Sequence, residues 1–297
     1  MQIINGYELQ QPLTSKNAGT CLWSFCSKDG RLYFIKKFLA PHYPDGSTGL
    51  SPATLQKKID RCAAFYVKKR KLYDALLRCR TGNVIVVEDF FRWGFDYYAV
   101  TELVNSEGGD PAVLTRLSMN QKRILLRAVS FSLCALHKQE IVHADLKPEN
   151  ILLVETEAGC YTGKIIDFDS SYFSGSAPEE LQGDPVYLAP ETFLRMNGQE
   201  LMLTKAADIF ALGLICHQYI TGSLPKISSQ YHYAFESVLN GEPLGLSAKL
   251  PSDLLSLIGR MLSCDPKERP DAEQVFKELS DQKPEHQYKP FSQCGEL

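Results

Sequence analysis

The sequence predicts an α+β protein of two lobes: a small β-rich lobe with one main helix, followed by a larger helical lobe. Two observations predict this fold class. Aromatic and β-branched runs separated by turn residues fill most of the first third of the chain. One long helical segment interrupts these runs, and helical periodicity dominates after about residue 111. We expect the lobes at 1–104 and 105–281, with a C-terminal tail at 282–297.

The β-rich lobe is expected to contain four strands and one helix. The strands are predicted at Leu22–Cys26, Arg31–Leu39, Val84–Phe91 and Phe95–Val104, and the letters KDG predict a turn between the first two. The helix is expected to start at Ser51-Pro52, because proline suits the first helical turn, and to run to about Arg78. Its predicted buried face consists of apolar residues at Leu55, Ile59, Ala63, Tyr66, Tyr73 and Leu77.

The larger lobe is expected to be built around a buried central helix. Lys205–Gly222 is apolar on nearly all sides and ends at a glycine suited to a C-cap. An amphipathic helix is predicted earlier, capped by Asn120, with an apolar stripe at Ile124, Ala128, Phe131 and Leu136. Two further helices are predicted in PSDLLSLIGRMLSCDP and DAEQVFKELSD.

Composition and cysteine spacing indicate which kinds of binding partner are excluded and which cellular compartment is expected. The net charge of -3 and the 44% hydrophobic content argue against a nucleic-acid or membrane-surface binder. The chain has no run of about 18 apolar residues and no secretory signal at its start. The nine cysteines contain no CxxC pair, which favours reduced thiols and a cytoplasmic protein.

The segment IVHADLKPENILL carries side chains suited to phosphoryl transfer. Asp145 supplies a carboxylate that accepts a hydroxyl proton, Lys147 a cation for the moving phosphoryl charge, and Asn150 an oxygen ligand for magnesium. Fourteen residues beyond this segment, IIDFD supplies a second magnesium ligand in Asp167.

This segment resembles the catalytic loop of eukaryotic-type protein kinases, and DFD resembles their DFG motif. LYFIKK resembles the strand motif VAIK, which makes Lys36 the lysine that would hold the α and β phosphates of ATP. VTELVN resembles the hinge between the lobes. It places Thr101 at the gatekeeper position, with the backbone of Glu102 and Val104 facing adenine.

Later motifs follow the order of the same family. GDPVYLAPE resembles the end of an activation segment, where Glu191 would pair with Arg269. Asp208 and Gly213 fit the central helix that supports the catalytic loop. The similarity extends over roughly residues 8 to 280.

The resemblance implies a bilobal kinase fold and transfer of the γ-phosphoryl group from ATP, with Mg²⁺, to Ser/Thr hydroxyls of a protein, with autophosphorylation as a further option. Lys147 follows the pattern of serine/threonine kinases. The alternatives are a pseudokinase, acting as a nucleotide-binding or scaffolding module, and a kinase of small molecules. The sequence leaves the substrate and the oligomeric state open.

Two departures from the family concern the nucleotide and Lys36. Of the glycine-rich loop only Gly19 remains. The helix before residue 78 contains no glutamate, although the family pairs the strand lysine with one, and spacing puts Lys68 or Lys69 near that position. Asp60, Asp74 or Glu88 could pair with Lys36 instead, or the helix could be swung out or aligned in a different register.

Three further departures lie in and near the catalytic loop. Ala144 replaces an arginine that normally meets a phosphorylated activation loop, which indicates control without such a phosphate. Asp184 replaces a threonine and could pair with Lys147. Asp169 replaces the DFG glycine. It either supplies a second metal carboxylate or bonds locally to its own turn.

Overall fold

The computed structural model describes residues 2–16, 21–45, 49–80, 83–104, 106, 111–157, 159 and 161–280. Within these residues the chain forms a β-rich first part and a mainly helical second part, as the sequence predicts. None of the described helices is long and apolar enough to cross a membrane.

The first lobe contains a six-stranded antiparallel sheet with the strand order β1-β2-β3-β4-β6-β5. Its strands are β1 (Ile3–Ile4), β2 (Tyr7–Leu9), β3 (Cys21–Lys28), β4 (Arg31–Phe38), β5 (Val87–Trp93) and β6 (Asp96–Glu102). The four predicted strands correspond to β3 to β6. The prediction missed β1 and β2, because strands of two and three residues are too short to show alternation.

The β3–β4 hairpin places Lys36 inside the sheet. Its turn has positive φ at Asp29 (51°) and Gly30 (76°), as the KDG pattern predicts. Lys36 lies opposite Trp23 of β3 and Ala99 of β6, so both sides of its strand are hydrogen-bonded.

Helix α1 (Pro52–Leu76) joins β4 to β5 and starts as predicted, with the Ser51 hydroxyl capping the N–H of Thr54. The predicted buried face is partly wrong. Tyr73 is buried, but three predicted members are exposed: Ala63, Tyr66 and Leu77. Four-residue steps drift around a helix of 3.6 residues per turn. The inward stripe combines steps of three and four residues, and its members are Leu55, Ile59, Cys62, Phe65, Lys69, Leu72 and Leu76.

The second lobe contains seven helices and two small β-ribbons among the described residues. The helices are α2 (Pro111–Arg116), α3 (Met119–Lys138), α4 (Pro190–Met196), α5 (Ala206–Thr221), α6 (Ala234–Leu239), α7 (Ser252–Met261) and α8 (Ala272–Ser280). The ribbons pair β7 (Ile141–Val142) with β10 (Tyr172–Phe173), and β8 (Ile151–Glu155) with β9 (Tyr161–Ile165).

Two predictions for α3 are corrected. Its cap is Ser118, which forms a capping box with Gln121, so Asn120 already lies inside the first turn. Ile124 and Phe131 are exposed by 37% and 42%. The helix packs between α8 and β9 and turns a neighbouring face inward, whose buried apolar residues are Leu125, Leu126, Val129, Leu133 and Leu136.

The prediction of a buried central helix is confirmed. Nearly every side chain of α5 is buried, and the helix ends at Gly222 with φ of 83°. A Cβ on Gly213 would lie 3.0 Å from atoms of both Met261 and Leu262, so this glycine lets α7 pack closely on α5. Helix α5 therefore forms a rigid base beneath the loop between β7 and β8.

Candidate active site

Asp208 of α5 anchors the loop between β7 and β8. Its carboxylate accepts hydrogen bonds from the backbone N–H of His143 (2.8 Å) and of Ala144 (2.9 Å), and contacts His137 Nε2 at 2.9 Å. Burial opposes the charge of Asp208, but these donors outweigh burial and hold its pKa below the usual value. The predicted support of the loop by Asp208 is confirmed.

His143 connects the loop to the segment that carries Asp167. Its Nδ1 accepts the N–H of Asp145 (3.3 Å), so Nε2 carries the proton and donates to the carbonyl of Ile166 (2.9 Å). Both segments contain left-handed residues, Ala144 with φ of 69° and Asp167 with φ of 65°. Such conformations cost energy in non-glycine residues and concentrate at functional sites.

Three donors fix the carboxylate of Asp145. Oδ2 lies 3.2 Å from Lys147 Nζ and accepts from Asn150 Nδ2 at 3.1 Å, while Oδ1 accepts from the N–H of Asp184 at 3.2 Å. The structure thus brings together the predicted catalytic pair and the predicted metal ligand of the loop.

Asp184 also reaches Lys147, as the sequence allowed. Its Oδ2 lies 3.7 Å from Lys147 Nζ. Partial burial favours the neutral lysine, but Asp145 and Asp184 outweigh it and raise the pKa of Lys147 above its usual value. Lys147 is therefore a cation held between two carboxylates.

The predicted ligands Asn150 and Asp167 fit a magnesium ion. The Asn150 side-chain nitrogen bonds to Asp145, which leaves the amide oxygen for a cation, and the Asn150 carbonyl accepts the N–H of Ile166, the neighbour of Asp167. Mg²⁺ is often bound by only one or two protein groups, with phosphate oxygens completing the shell. Among the described residues, no group of three or more His, Cys, Asp or Glu side chains is placed to hold a metal.

Lys36 reaches the DFD segment and none of the three acids suggested from sequence. Its Nζ lies 2.8 Å from Asp167 Oδ1 and 3.0 Å from Asp169 Oδ2. Burial lowers the pKa of Lys36, but the two carboxylates outweigh burial and raise the pKa above its usual value. The suggested partners Asp60, Asp74 and Glu88 contact other side chains, which are Gln56, Arg70 and Arg80.

Asp169 also contacts Lys69, one of the two lysines that the spacing puts near the place of the helix glutamate. Lys69 Nζ donates to the Asp169 carbonyl at 2.9 Å and lies 3.8 Å from Asp169 Oδ1. Helix α1 is therefore packed inward and not swung out. Neither interpretation of Asp169 from the sequence anticipated these contacts. The available signal was a pair of departures of opposite charge: a lysine, at 68 or 69, near the place of the helix glutamate, and an aspartate in place of glycine at 169.

The residues predicted to form the hinge lie at and just after the end of β6. Thr101 and Glu102 are the last residues of β6, and Val104 follows it. The side chain of Glu102 turns to Lys164 of β9, with 3.3 Å between Oε1 and Nζ. Gly19, the remaining glycine of the predicted phosphate loop, lies outside the described residues.

The predicted pair between Glu191 and Arg269 is confirmed. Two parallel contacts of 2.7 and 2.8 Å join the guanidinium to the carboxylate, and both residues are buried. Arg269 also donates to the carbonyl of Ala206 at the start of α5. The end of the GDPVYLAPE segment is thereby fixed to the central helix.

Comparison with known proteins agrees with this architecture. Residues 67–279 match the family model described as the protein kinase domain. The match covers more than half of the chain, so the chain belongs to the protein kinase domain family and the predicted kinase fold is confirmed. It begins within α1, and Lys36 lies before it.

Curated relatives carry serine/threonine or calcium-dependent kinase names. Serine/threonine-protein kinase ULK3 of Xenopus laevis is 26% identical over 66% of this chain and 42% of its own length. Calcium-dependent protein kinase 19 of Arabidopsis thaliana is 27% identical over 84% of this chain and 45% of its own length. Serine/threonine-protein kinase A of Synechocystis is 28% identical over 68% of this chain and 41% of its own length. The chain spans less than half the length of each of these relatives.

Proposed function

We propose that this chain transfers the γ-phosphoryl group of ATP to serine or threonine hydroxyls of a protein, in a Mg²⁺-dependent reaction. One observation carries the proposal: the side chains of Asp145, Lys147 and Asn150 form a bonded cluster, and Lys36 contacts Asp167 beside it. Phosphoryl transfer depends mainly on positioning and on electrostatic stabilisation, which such a cluster provides.

In this proposal Asp145 orients the substrate hydroxyl and accepts its proton on a carboxylate oxygen. The N–H of Asp184 and the amide of Asn150 keep that carboxylate in one orientation. Lys147 offsets the negative charge of the transferred group and keeps its own proton, because its pKa is raised.

Nucleotide binding is assigned to both lobes. Lys36 holds the α and β phosphates together with Gly19, the remaining glycine of the phosphate-binding motif, and the backbone of Glu102 and Val104 faces adenine. Asn150 and Asp167 would hold magnesium, which neutralises charge on the phosphates when bound. We place the reaction in the cytoplasm, because the nine cysteines of the sequence contain no CxxC pair, a pattern that favours reduced thiols.

A transfer assay tests the proposal. The chain is incubated with Mg²⁺, γ-labelled ATP and a basic protein, in parallel with Asp145→Ala and with Asp60→Ala. Asp60 is an exposed acid that bonds only locally to Gln56 among the described contacts, so Asp60→Ala is the matched control. We expect wild type and Asp60→Ala to label the basic protein or themselves, and Asp145→Ala to lose at least about 10²-fold.

Three results would contradict the proposal. Label equal to that of Asp145→Ala, with a nucleotide-dependent rise in melting temperature, would indicate a nucleotide-binding pseudokinase. The same label without a thermal shift would indicate a scaffold. Label found only on a small molecule of a metabolite mixture would indicate a small-molecule kinase.

A further inference from the structure

Two departures of opposite charge from the family pattern contact each other at the junction of the two lobes. The resemblance to protein kinases leads one to expect a glutamate on α1, paired with Lys36, and a glycine after the phenylalanine of the DFG motif. This chain has Asp169 in place of the glycine, and the spacing puts Lys68 or Lys69 near the place of the glutamate. Of these two lysines, Lys69 is the one that faces inward, whereas Lys68 is exposed. The site therefore still contains a carboxylate beside Lys36, but Asp169 supplies it instead of a residue of the helix.

Asp169 lies between two lysines from different elements. One carboxylate oxygen is 3.0 Å from Lys36 Nζ of β4, and the other is 3.8 Å from Lys69 Nζ of α1. The Asp169 carbonyl accepts a hydrogen bond from Lys69 at 2.9 Å, and its N–H donates to Asp167 Oδ1 at 3.3 Å. Backbone and side chain of this one residue therefore join β4, α1 and the metal-ligand segment.

Lys69 is a largely buried lysine whose ion pair within the described residues is with Asp169. Its side chain is only 12% exposed, and its ammonium lies 5.4 Å from the ring centre of Phe38 and 5.8 Å from that of Tyr73. Burial lowers the pKa of Lys69, Asp169 opposes that effect, and Lys36 adds to it. An ammonium buried in this way is costly without a nearby carboxylate.

We propose that Asp169 takes over the task of the absent helix glutamate as the positioning residue for Lys36, and that Lys69 anchors Asp169 to α1. The part concerning phosphate positioning rests on the proposed function. The connection from α1 to Lys36 is thus kept with its charges rearranged. Restoring the family's glycine alone should damage this site, because Lys36 and Lys69 would lose the carboxylate between them.

A double-mutant cycle without nucleotide tests the ionic contact itself. Melting temperatures are measured for wild type, Lys69→Met, Asp169→Asn and the double variant. Lys68→Met is the matched control, because Lys68 is the adjacent, exposed lysine of α1. If the two charges interact, Lys69→Met lowers the melting temperature more in the wild-type background than in the Asp169→Asn background. We expect the two decreases to differ by about 2 °C or more. Lys68→Met should show equal effects in both backgrounds.

A charge exchange tests the positioning role. We expect Asp169→Gly to lower kcat/KM for ATP at least about tenfold, with effects on both kcat and KM. Lys69→Glu should be at least as harmful, because it places a second carboxylate beside Asp169. The combined Lys69→Glu/Asp169→Gly variant restores the family's arrangement and should recover most of the loss.

The outcomes separate this inference from the proposed function. Wild-type label no higher than that of Asp145→Ala would overturn the proposed function, while the thermal cycle would still test the contact. Additive melting temperatures together with no recovery in the exchanged variant would overturn the inference. A raised Mg²⁺ requirement for Asp169→Gly, unchanged by Lys69→Glu, would also overturn it and assign Asp169 to the metal.

Discussion

Lys147 has two neighbours of opposite charge, and only one of them is shared with the protein kinase family pattern. Asp145 lies 3.2 Å from its Nζ and Asp184 lies 3.7 Å away, with the N–H of Asp184 bonded to Asp145 as well. A carboxylate at residue 184 would be harmful beside Asp145 if no cation stood between them. The position of Lys147 therefore makes the departure at 184 tolerable.

Removing this cation should lower the rate of phosphoryl transfer. In Lys147→Met, Asp145 and Asp184 face each other without a shared positive charge, and the negative charge of the transferred group is no longer offset. We expect kcat to fall about 10²-fold, which steady-state rates at pH 7 measure. Lys249→Met, at an exposed lysine of the second lobe, should match wild type, and an unchanged kcat of Lys147→Met would contradict the expectation.

At the scale of elements, α5 contacts the loop between β7 and β8 through the side chain of Asp208. Asp208 is 1% exposed and lies in the first turn of the helix, where backbone N–H groups also favour negative charge. It accepts hydrogen bonds from the N–H groups of His143 and Ala144, so the loop that carries Asp145 is fixed to a helix that is itself packed on all sides. The contact supports the left-handed conformation of Ala144.

The pH dependence of the free energy of unfolding should show the contribution of the Asp208 contact. The folded-state pKa of Asp208 lies below the usual 3.8, so its stabilisation is present above that value and is lost as pH falls through the lower folded-state pKa. We expect Asp208→Asn to lower the free energy of unfolding by about 3 kcal/mol at pH 7. The difference from wild type should shrink as pH drops below about 4.

Urea unfolding at several pH values measures this difference. Asp60→Asn, at the exposed acid of α1, should follow wild type over the same range. A deficit of Asp208→Asn that stays constant down to pH 3 would contradict the assigned role of Asp208.

Local patterns explain why some elements were predictable. The central helix was found because its apolar character does not depend on its neighbours, and the β3–β4 turn because Asp29 and Gly30 favour positive φ. The inward faces of α1 and α3 were partly misplaced. Contacts with other elements decide those faces, and a lysine on the inward stripe of α1 weakens its apolar pattern.

The candidate site was predictable where residues stand close in sequence. Asp145, Lys147 and Asn150 share one loop, and the structure joins them. The partner of Lys36 was not predictable, because Lys36 and Asp169 are 133 residues apart and meet only in the folded chain. The carboxylate that Lys36 contacts belongs to the second lobe, and therefore it is not among the acids of α1 and the sheet.

At the scale of the whole molecule, the two lobes share one hydrophobic core. The largest buried cluster includes Phe38 and Phe90 of the first lobe together with Leu133 and Phe210 of the second. The ion pair from Lys36 to Asp167 adds a polar connection between them. Breaking either lobe therefore exposes apolar surface of the other, which favours cooperative unfolding.

The distribution of tryptophan allows a direct test of this cooperativity. Both tryptophans of the chain, Trp23 and Trp93, belong to the first-lobe sheet, whereas most of the helices lie in the second lobe. Tryptophan fluorescence thus follows the first lobe, and circular dichroism at 222 nm follows mainly the second. We expect both signals to give the same urea midpoint, and ATP with Mg²⁺ to raise both midpoints together, because a ligand of the folded state stabilises the whole cooperative unit. A fluorescence midpoint at lower urea than the dichroism midpoint would show that the first lobe unfolds alone and that the shared core does not couple the lobes.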